Sequence, residues 1–229
     1  QILLDGGPDG SVLLDAMGRQ MPFWDRSLDA IIVSHDDIDH TAGVHAALAG
    51  YETPLLLAGG FVGESGAGGQ WQSSLAEAGA RHAFVAAGGE VRLSDGVLLR
   101  FLHPEAGAPA GADNDASLVV RLEYGQISML LTGDLEEAGE RGLLDAGAPL
   151  ASSVLKVAHH GSAGATSAPF LEAVAPSVAV VSVGADNRYG HPAPAVLERL
   201  AERGIHVWRT DEAGTVELVT DGERLWVND

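Results

Sequence analysis

The sequence concentrates potential metal ligands in one short segment. Residues 34 to 40 read Ser-His-Asp-Asp-Ile-Asp-His, and four of them can donate to a cation: His35, Asp37, Asp39 and His40. Imidazole nitrogens and carboxylate oxygens are suitable ligands for zinc, manganese or iron, and the carboxylates favour the harder ions. Acidic residues also favour helix N-termini, so the alternative is a polar loop that caps a helix. Four donors at this spacing make a metal site the better interpretation.

A further acidic residue follows an apolar segment in the middle of the chain. Asp134 comes shortly after Ile127–Leu131 and directly after Gly133, and glycine permits an unusual turn. A carboxylate in this position can bridge two cations and offset the repulsion between them. The alternative is that Asp134 caps the glutamate-rich helix that follows it.

Two adjacent histidines end another apolar segment. His159 and His160 precede Gly161 and lie at the end of the predicted strand Ser153–His159. Because adjacent residues of a strand face opposite ways, we expect one histidine to bind metal and the other to pack or to orient it, with a slight preference for His159 as the ligand. Lys156 is expected near the same end of this strand, unless it simply extends to solvent as an ordinary lysine.

A last histidine precedes a predicted helix. His191 follows Tyr189 and Gly190, and Pro192 comes directly after it. The N-terminus of a helix, with an imidazole and a hydroxyl nearby, suits a phosphate oxygen. The alternative is a structural loop in which the proline starts the helix.

The elements that would position these residues are short strands and helices in mixed order. Hairpin-like strand pairs, for example around Gly125, stand beside strands separated by helices. This mixture predicts an α/β domain with two packed sheets flanked by helices, and we find no linker that would divide residues 1–229. The glycine-rich stretch Gly59–Gly69 is typical of a surface loop. The main predicted elements are strands at Ser11–Leu14, Asp29–Ser34, Gln126–Thr132 and Ser153–His159, and helices at Ala42–Ala49, Glu136–Leu144 and Ala193–Arg203.

The amino-acid composition excludes several classes of protein. The chain has 229 residues, with 13 basic and 32 acidic side chains and a net charge of −19. It has no cysteine, which excludes disulfide and metal-thiolate partners. No apolar run approaches the ~20 residues of a membrane-spanning helix. The charge argues against a protein that holds nucleic acid by broad electrostatic attraction, because phosphate binding normally rests on lysine and arginine.

Taken together, the motifs resemble those of a known family. The pattern His35-x-Asp37-x-Asp39-His40 resembles the metal motif of the metallo-β-lactamase superfamily, whose usual form is His-x-His-x-Asp-His, with Asp37 at a position that is histidine in most members. The segment that ends at Asp134 resembles the superfamily's bridging-aspartate motif. The blocks 114–122, 155–162 and 187–192 further resemble the C-terminal domain of the ComEC competence proteins, polytopic membrane channels that import transforming DNA. The resemblance runs from residue 2 to about residue 227.

The resemblance implies a four-layer αββα sandwich that forms a metal-dependent phosphodiester hydrolase. Its function would be to degrade the DNA strand that is not imported during natural transformation. It implies one or two divalent ions, manganese or zinc, and the ligands His35, Asp37, Asp39, His40, Asp134, His159 and His160. Asp39 would also orient the attacking water, and the residues expected to contact substrate are Lys156, Asn114 and His191.

One ligand of the usual set is replaced in this sequence. The superfamily places a third histidine on its first metal, between the opening motif and the bridging aspartate. The equivalent position here carries Asn114 followed by Asp115. An asparagine amide is a poor ligand compared with imidazole, so we expect a first metal site that is weaker, more oxygen-rich, or filled only when substrate is present.

The resemblance also implies partners and a location. They are single-stranded DNA, and the sibling DNA-binding and membrane-channel domains of a longer protein, with this domain on the extracytoplasmic side of the cytoplasmic membrane. We expect the chain to be a fragment, with the family's first strand preceding Gln1. Two other functions stay open: a hydrolase of a small phosphoester or lactone, and a non-catalytic domain of the channel that retains metal.

Overall fold

The computed structural model describes residues 1–59, 68–107 and 114–228, of which 68–72 are described by backbone alone. Most of the stretch Gly59–Gly69, predicted as a surface loop, therefore lies outside the described residues. Contacts group the chain into two compact units. The first comprises Gln1–Val85 with Gly107–Leu118, and the second comprises Ala86–Ala106 with Val119–Asp229.

The first unit is built on a parallel sheet whose strands alternate with helices. Four strands lie in sequence order, β1 (Ile2–Leu4), β2 (Ala30–Val33), β3 (Leu55–Ala58) and β4 (Arg81–Phe84). The helices are α1 (Gly10–Gln20), α2 (Ile38–Gly50) and α3 (Gly68–Ala78). All four residues of β2 are buried, as expected for a central parallel strand that is covered on both faces. This strand leads directly into the His35 segment.

The beginning of the first unit differs from the sequence prediction. The expected strand Ser11–Leu14 is wrong, because these residues belong to helix α1. The side chain of Asp9 accepts hydrogen bonds from the backbone N–H groups of Ser11 (2.7 Å) and Val12 (3.2 Å). An aspartate N-cap satisfies the first donors of a helix, and the apolar residues that resemble a strand then form the start of the helix.

The second unit contains a mixed seven-stranded sheet. Strands β5 (Glu90–Arg92), β6 (Leu98–His103), β7 (Val119–Tyr124) and β8 (Ile127–Leu131) are antiparallel neighbours. Strands β9 (Val154–Lys156), β10 (Val178–Val181) and β11 (His206–Arg209) continue the sheet in parallel. The predicted hairpin around Gly125 is confirmed, and Gly125 has the positive φ of 59° that favours glycine in such a turn.

The remaining elements cover this sheet and close the chain. Helices α4 (Glu137–Asp145), α5 (Ala168–Val174), α6 (Pro194–Glu202) and α7 (Thr210–Ala213) belong to the second unit, as does the hairpin of β12 (Glu217–Thr220) and β13 (Leu225–Asn228). Fully buried side chains from the sheet and helices, among them Leu155, Phe170 and Leu200, form one core. Within the described residues no helix has the length and apolarity needed to cross a bilayer.

Candidate functional site

The first group of predicted ligands lies where strand β2 gives way to helix α2. The residues between Val33 and Ile38 form the connection, and His40 lies in the first turn of the helix. The rings of His35 and His40 are 4.1 Å apart between centroids, and the two residues are only 2% and 3% exposed. The carboxyl end of a parallel strand is where side chains from a connecting loop converge. The structure thus brings these two imidazoles together within the first unit.

The carboxylates of this segment are more exposed than its imidazoles. Asp37 is exposed, and its Oδ2 lies 3.6 Å from the Nε2 of His35. Asp39 is half-buried on the first turn of α2. Asp36 is half-buried as well, and burial raises its pKa, partly offset by a backbone hydrogen bond.

Asp5 supports the first group, and the sequence analysis did not identify it. The Oδ2 of Asp5 lies 2.8 Å from the Nδ1 of His40, and its carboxylate accepts hydrogen bonds from the backbone N–H (2.8 Å) and hydroxyl (2.7 Å) of Ser34. A carboxylate on one ring nitrogen fixes the orientation of a histidine that binds metal through the other. The available signal was an aspartate at the end of an apolar strand, directly before Gly6 and Gly7.

Two glycines allow the Asp5 loop to lie against helix α2. The backbone N–H of Gly6 donates to the carbonyl of His40 at 2.7 Å, and that of Gly43 donates to the carbonyl of Gly7 at 3.0 Å. A Cβ atom at Gly43 would lie 1.9 Å from the Gly6 carbonyl oxygen, which is a severe clash. Backbone approach this close requires glycine, so Gly6 and Gly43 allow the segment that contains Asp5 to lie beside His40.

Asn114, predicted to contact substrate, belongs to the first unit. It begins a short 3-10 turn, Asn114–Ala116, and its carbonyl accepts a hydrogen bond from the N–H of Ser117 at 3.0 Å. The N–H of Leu118 then donates to the Ser34 carbonyl at 2.7 Å. These bonds attach the turn to the segment that contains His35.

The second group of predicted ligands surrounds Asp134 in the second unit. Asp134 follows strand β8, and it is 3% exposed. Its Oδ2 lies 3.5 Å from the Nε2 of His160 and 3.8 Å from the Nε2 of His159. One carboxylate oxygen thus has two imidazole nitrogens close to it, and together they form a donor set that could hold a divalent cation.

The backbone around the two histidines corrects the sequence analysis. Strand β9 ends at Lys156, and the expected strand through His159 is wrong. His159 and His160 instead have left-handed φ values of 46° and 52°, a conformation that costs a residue other than glycine about 1–2 kcal/mol. The alternation argument therefore fails, because these residues are not in a strand, and both rings point their Nε2 atoms toward Asp134.

Each of these histidines is also oriented through its other nitrogen. The Nδ1 of His159 lies 2.9 Å from the Oε1 of Glu136, and the Nδ1 of His160 lies 2.7 Å from the Ser182 carbonyl. The sequence analysis considered Glu136 only as part of the start of helix α4. Lys156 is half-buried in the same unit, with its Nζ 3.4 Å from the carbonyl of Gly133, the residue before Asp134.

His191 lies next to the second group. Its ring centroid is 5.7 Å from that of His159. Burial lowers the pKa of His191, and His159 and His160 lower it further, which favours a neutral imidazole. Asn187 fixes the loop: its side chain donates to the His191 carbonyl (2.8 Å) and accepts from the His191 N–H (3.0 Å).

The chemistry of both groups fits a divalent cation. The donors are imidazoles and carboxylates, which suit zinc, manganese or iron. His40, His159 and His160 each have a hydrogen-bonding partner at Nδ1, and such a partner directs a histidine to bind metal through Nε2. The Nε2 atoms of His40 and His160 are buried, as expected for atoms that would face an ion rather than water.

Comparison with known proteins identifies the family. Residues 1–185 match the model of the metallo-β-lactamase superfamily. The chain belongs to this superfamily. It is similar to ComE operon protein 3 of Bacillus subtilis (strain 168), with 37% identity over 193 residues, 84% of this chain and 24% of the relative. It is also similar to the competence protein ComA of Neisseria gonorrhoeae, with 38% identity over 197 residues, 84% of this chain and 25% of the relative.

A solved structure shows the same fold. The metallo-β-lactamase fold protein YhfI from Bacillus subtilis aligns with a TM-score of 0.57 and 13% identity, over 91% of this chain and 83% of YhfI. The α/β metallo-β-lactamase fold and the resemblance to competence proteins, both expected from the sequence, are confirmed. The chain spans about a quarter of the length of the curated relatives it matches. It is a hydrolase-fold domain related to competence proteins.

Proposed function

We propose that this chain is a metal-dependent phosphodiester hydrolase that degrades DNA, and that it acts on the strand that is not imported during natural transformation. The observation that carries the proposal is the buried Asp134 carboxylate with the Nε2 atoms of two histidines at 3.5 and 3.8 Å. His191 adds a further imidazole beside one of them. The superfamily membership and the similarity to the competence protein ComA support the same function.

The proposed ligands come from both groups of donors. They are His35, Asp37, Asp39 and His40 in the first unit, and Asp134, His159 and His160 in the second. One or two bound divalent ions, manganese or zinc, would lower the pKa of a water and neutralise charge that develops on the phosphate. Asp5 and Glu136 hold the rings of His40 and His159 in the orientation that ligation needs.

Other residues of the chain have proposed roles toward the substrate. Asp39 orients the attacking water with its carboxylate. His191 contacts the phosphate: burial lowers its pKa and so favours the neutral ring, and a neutral imidazole can donate a hydrogen bond from one nitrogen and accept one at the other. Lys156 and Asn114 bind substrate. Lys156 supplies a positive charge, and its Nζ contacts the carbonyl of Gly133, the residue before Asp134.

With a net charge of −19, the chain needs another source of positive charge to hold DNA. Even two divalent cations leave it strongly negative, and DNA binding normally requires positive charge. We propose that sibling DNA-binding and membrane-channel domains of a longer protein hold single-stranded DNA, on the extracytoplasmic side of the cytoplasmic membrane. The charge also favours a second candidate function, hydrolysis of a small phosphoester, which needs no extended contact with a polyanion.

The deciding experiment combines a metal analysis with two substrates. The protein is chelated, its residual metal is measured, and manganese or zinc is added back before assays on single-stranded DNA and on a small chromogenic phosphodiester. We expect chelation to abolish hydrolysis and manganese to restore it at least as well as zinc, because the first group is rich in oxygen donors. Full activity below one metal per protein would contradict the proposal. Activity on the small substrate alone would support the second candidate, and a metal-loaded inactive protein would support a non-catalytic domain.

A further inference from the structure

The loop that carries His191 also presents an exposed aromatic ring. Tyr189 is 83% exposed, and its ring is stacked nearly parallel to that of His191, with an interplanar angle of 17° and centroids 5.9 Å apart. A single exposed aromatic residue needs no explanation. Tyr189, however, lies beside the ring of His191, and the ring of His191 lies 5.7 Å from that of His159, a proposed metal ligand.

The loop is built to hold this arrangement. Asn187 is bonded to the Gly184 carbonyl (3.0 Å) and to both backbone groups of His191. Gly190, between the two rings in sequence, has a φ of 73°, which lets the chain turn sharply enough for the rings to stack. A ring that is already positioned loses little conformational freedom when a ligand stacks on it.

We propose that Tyr189 is a stacking platform for a nucleobase of single-stranded DNA, the base next to the phosphate that His191 contacts. The inference rests on the proposed nuclease function and adds the means by which it recognises the polymer. The tyrosine ring lies nearly parallel to that of His191, and its high exposure leaves ring surface open to solvent. Stacking on an aromatic ring tolerates every base and does not depend on net charge, so it suits a chain of −19 charge.

Two matched oligonucleotides test this role. One is a short labelled oligothymidylate, and the other has the same backbone and label but abasic sites in place of its bases. Affinities are measured by fluorescence anisotropy on the 229-residue chain as purified and again with a chelator, which prevents hydrolysis. The wild type should prefer the base-bearing oligonucleotide. Tyr189→Ala should weaken binding of that oligonucleotide about ten-fold and leave the abasic affinity unchanged, the scale expected for one stacked base.

Two control variants sharpen the test. Tyr189→Phe keeps the ring and should keep the preference for bases. Trp24→Ala removes another strongly exposed aromatic ring, 73% exposed in the first unit, and should change neither affinity. No preference for bases in the wild type, or equal losses on both oligonucleotides in Tyr189→Ala, would overturn the proposal. If Tyr189→Ala loses the preference for bases while the wild type shows no hydrolysis, the stacking platform is supported and the nuclease function is rejected. If the wild type hydrolyses DNA while Tyr189→Ala keeps the preference, the nuclease function is supported and the platform is rejected.

Discussion

The two groups of proposed metal ligands are held in place in different ways. In the first unit, His35 and His40 have side chains 3% and 4% exposed, and they lie at a strand end and a helix start. In the second unit, His159 and His160 have side chains 23% exposed and stand on left-handed backbone. Sparsely populated backbone conformations are found where function requires a particular geometry. The imidazoles of the first group are therefore more deeply buried, and those of the second group are more open to water.

The carboxylates that orient the histidines follow the same division. The side chain of Asp5 is 12% exposed and serves both His40 and Ser34. The side chain of Glu136 is 39% exposed and contacts His159 at 2.9 Å. A hydrogen bond in a buried, low-dielectric environment is electrostatically stronger than the same bond near water. We therefore expect replacement of Asp5 to reduce metal affinity and the free energy of unfolding more than replacement of Glu136 does.

The largest expected effect is at the centre of the second group. Asp134→Asn replaces the carboxylate that lies close to both imidazoles with a neutral amide, which is a poorer ligand. Hydrolysis should fall below detection, and metal content should drop. Asp145→Asn, the same change at the exposed end of helix α4, is the matched control and should alter neither. Turnover and bound metal are measured on the same samples, and equal losses in both variants would show that the assignment of Asp134 is wrong.

The next effect separates chemistry from metal binding. His191→Ala should reduce turnover about 10²-fold, the usual scale for losing a positioned proton donor or acceptor. Its metal content should stay at the wild-type level, because His191 is outside the proposed ligand set and only contacts the ring of His159 edge-on. Loss of metal in this variant would make His191 a ligand instead.

The comparison between the two groups is tested directly at Asp5. Asp5→Asn should weaken metal binding about 10- to 100-fold, the range for losing an outer partner of a ligating histidine. It should also lower the free energy of unfolding by about 1–3 kcal/mol, since buried groups of Ser34 and His40 lose a charged acceptor. Metal titration and denaturant unfolding of the chelated protein measure the two effects. An unchanged affinity would mean that His40 needs no external partner.

The sequence predicted several of the strands that carry the proposed ligands, but it did not reveal the side chains that support those ligands. Strands near Asp29–Ser34 and Gln126–Thr132 are confirmed, because buried apolar runs between polar turns are typical of strands. Asp5 was missed, because its partner His40 is 35 residues away in the chain and no local pattern records such a contact. The turn at His159 was missed for another reason: its backbone is left-handed, a conformation that is uncommon for any residue other than glycine. The prediction of a strand at Ser11–Leu14 failed because Asp9, two residues before it, caps a helix that includes these residues.

The smallest effect is expected at Glu136. Glu136→Gln keeps an oxygen that can accept a hydrogen bond from His159 but removes the charge, and the side chain is already 39% exposed. Water therefore screens much of its interaction in the wild type. We expect metal affinity to fall by about ten-fold at most, the low end of the range for such partners, and the free energy of unfolding to stay within about 0.5 kcal/mol, as for most surface changes. The measurements are the metal titration and the unfolding curve applied to Asp5→Asn, on the same preparation. If Glu136→Gln weakens metal binding as much as Asp5→Asn does, burial does not set the strength of these hydrogen-bonding partners. The difference between the two groups of proposed ligands would then rest on backbone geometry alone.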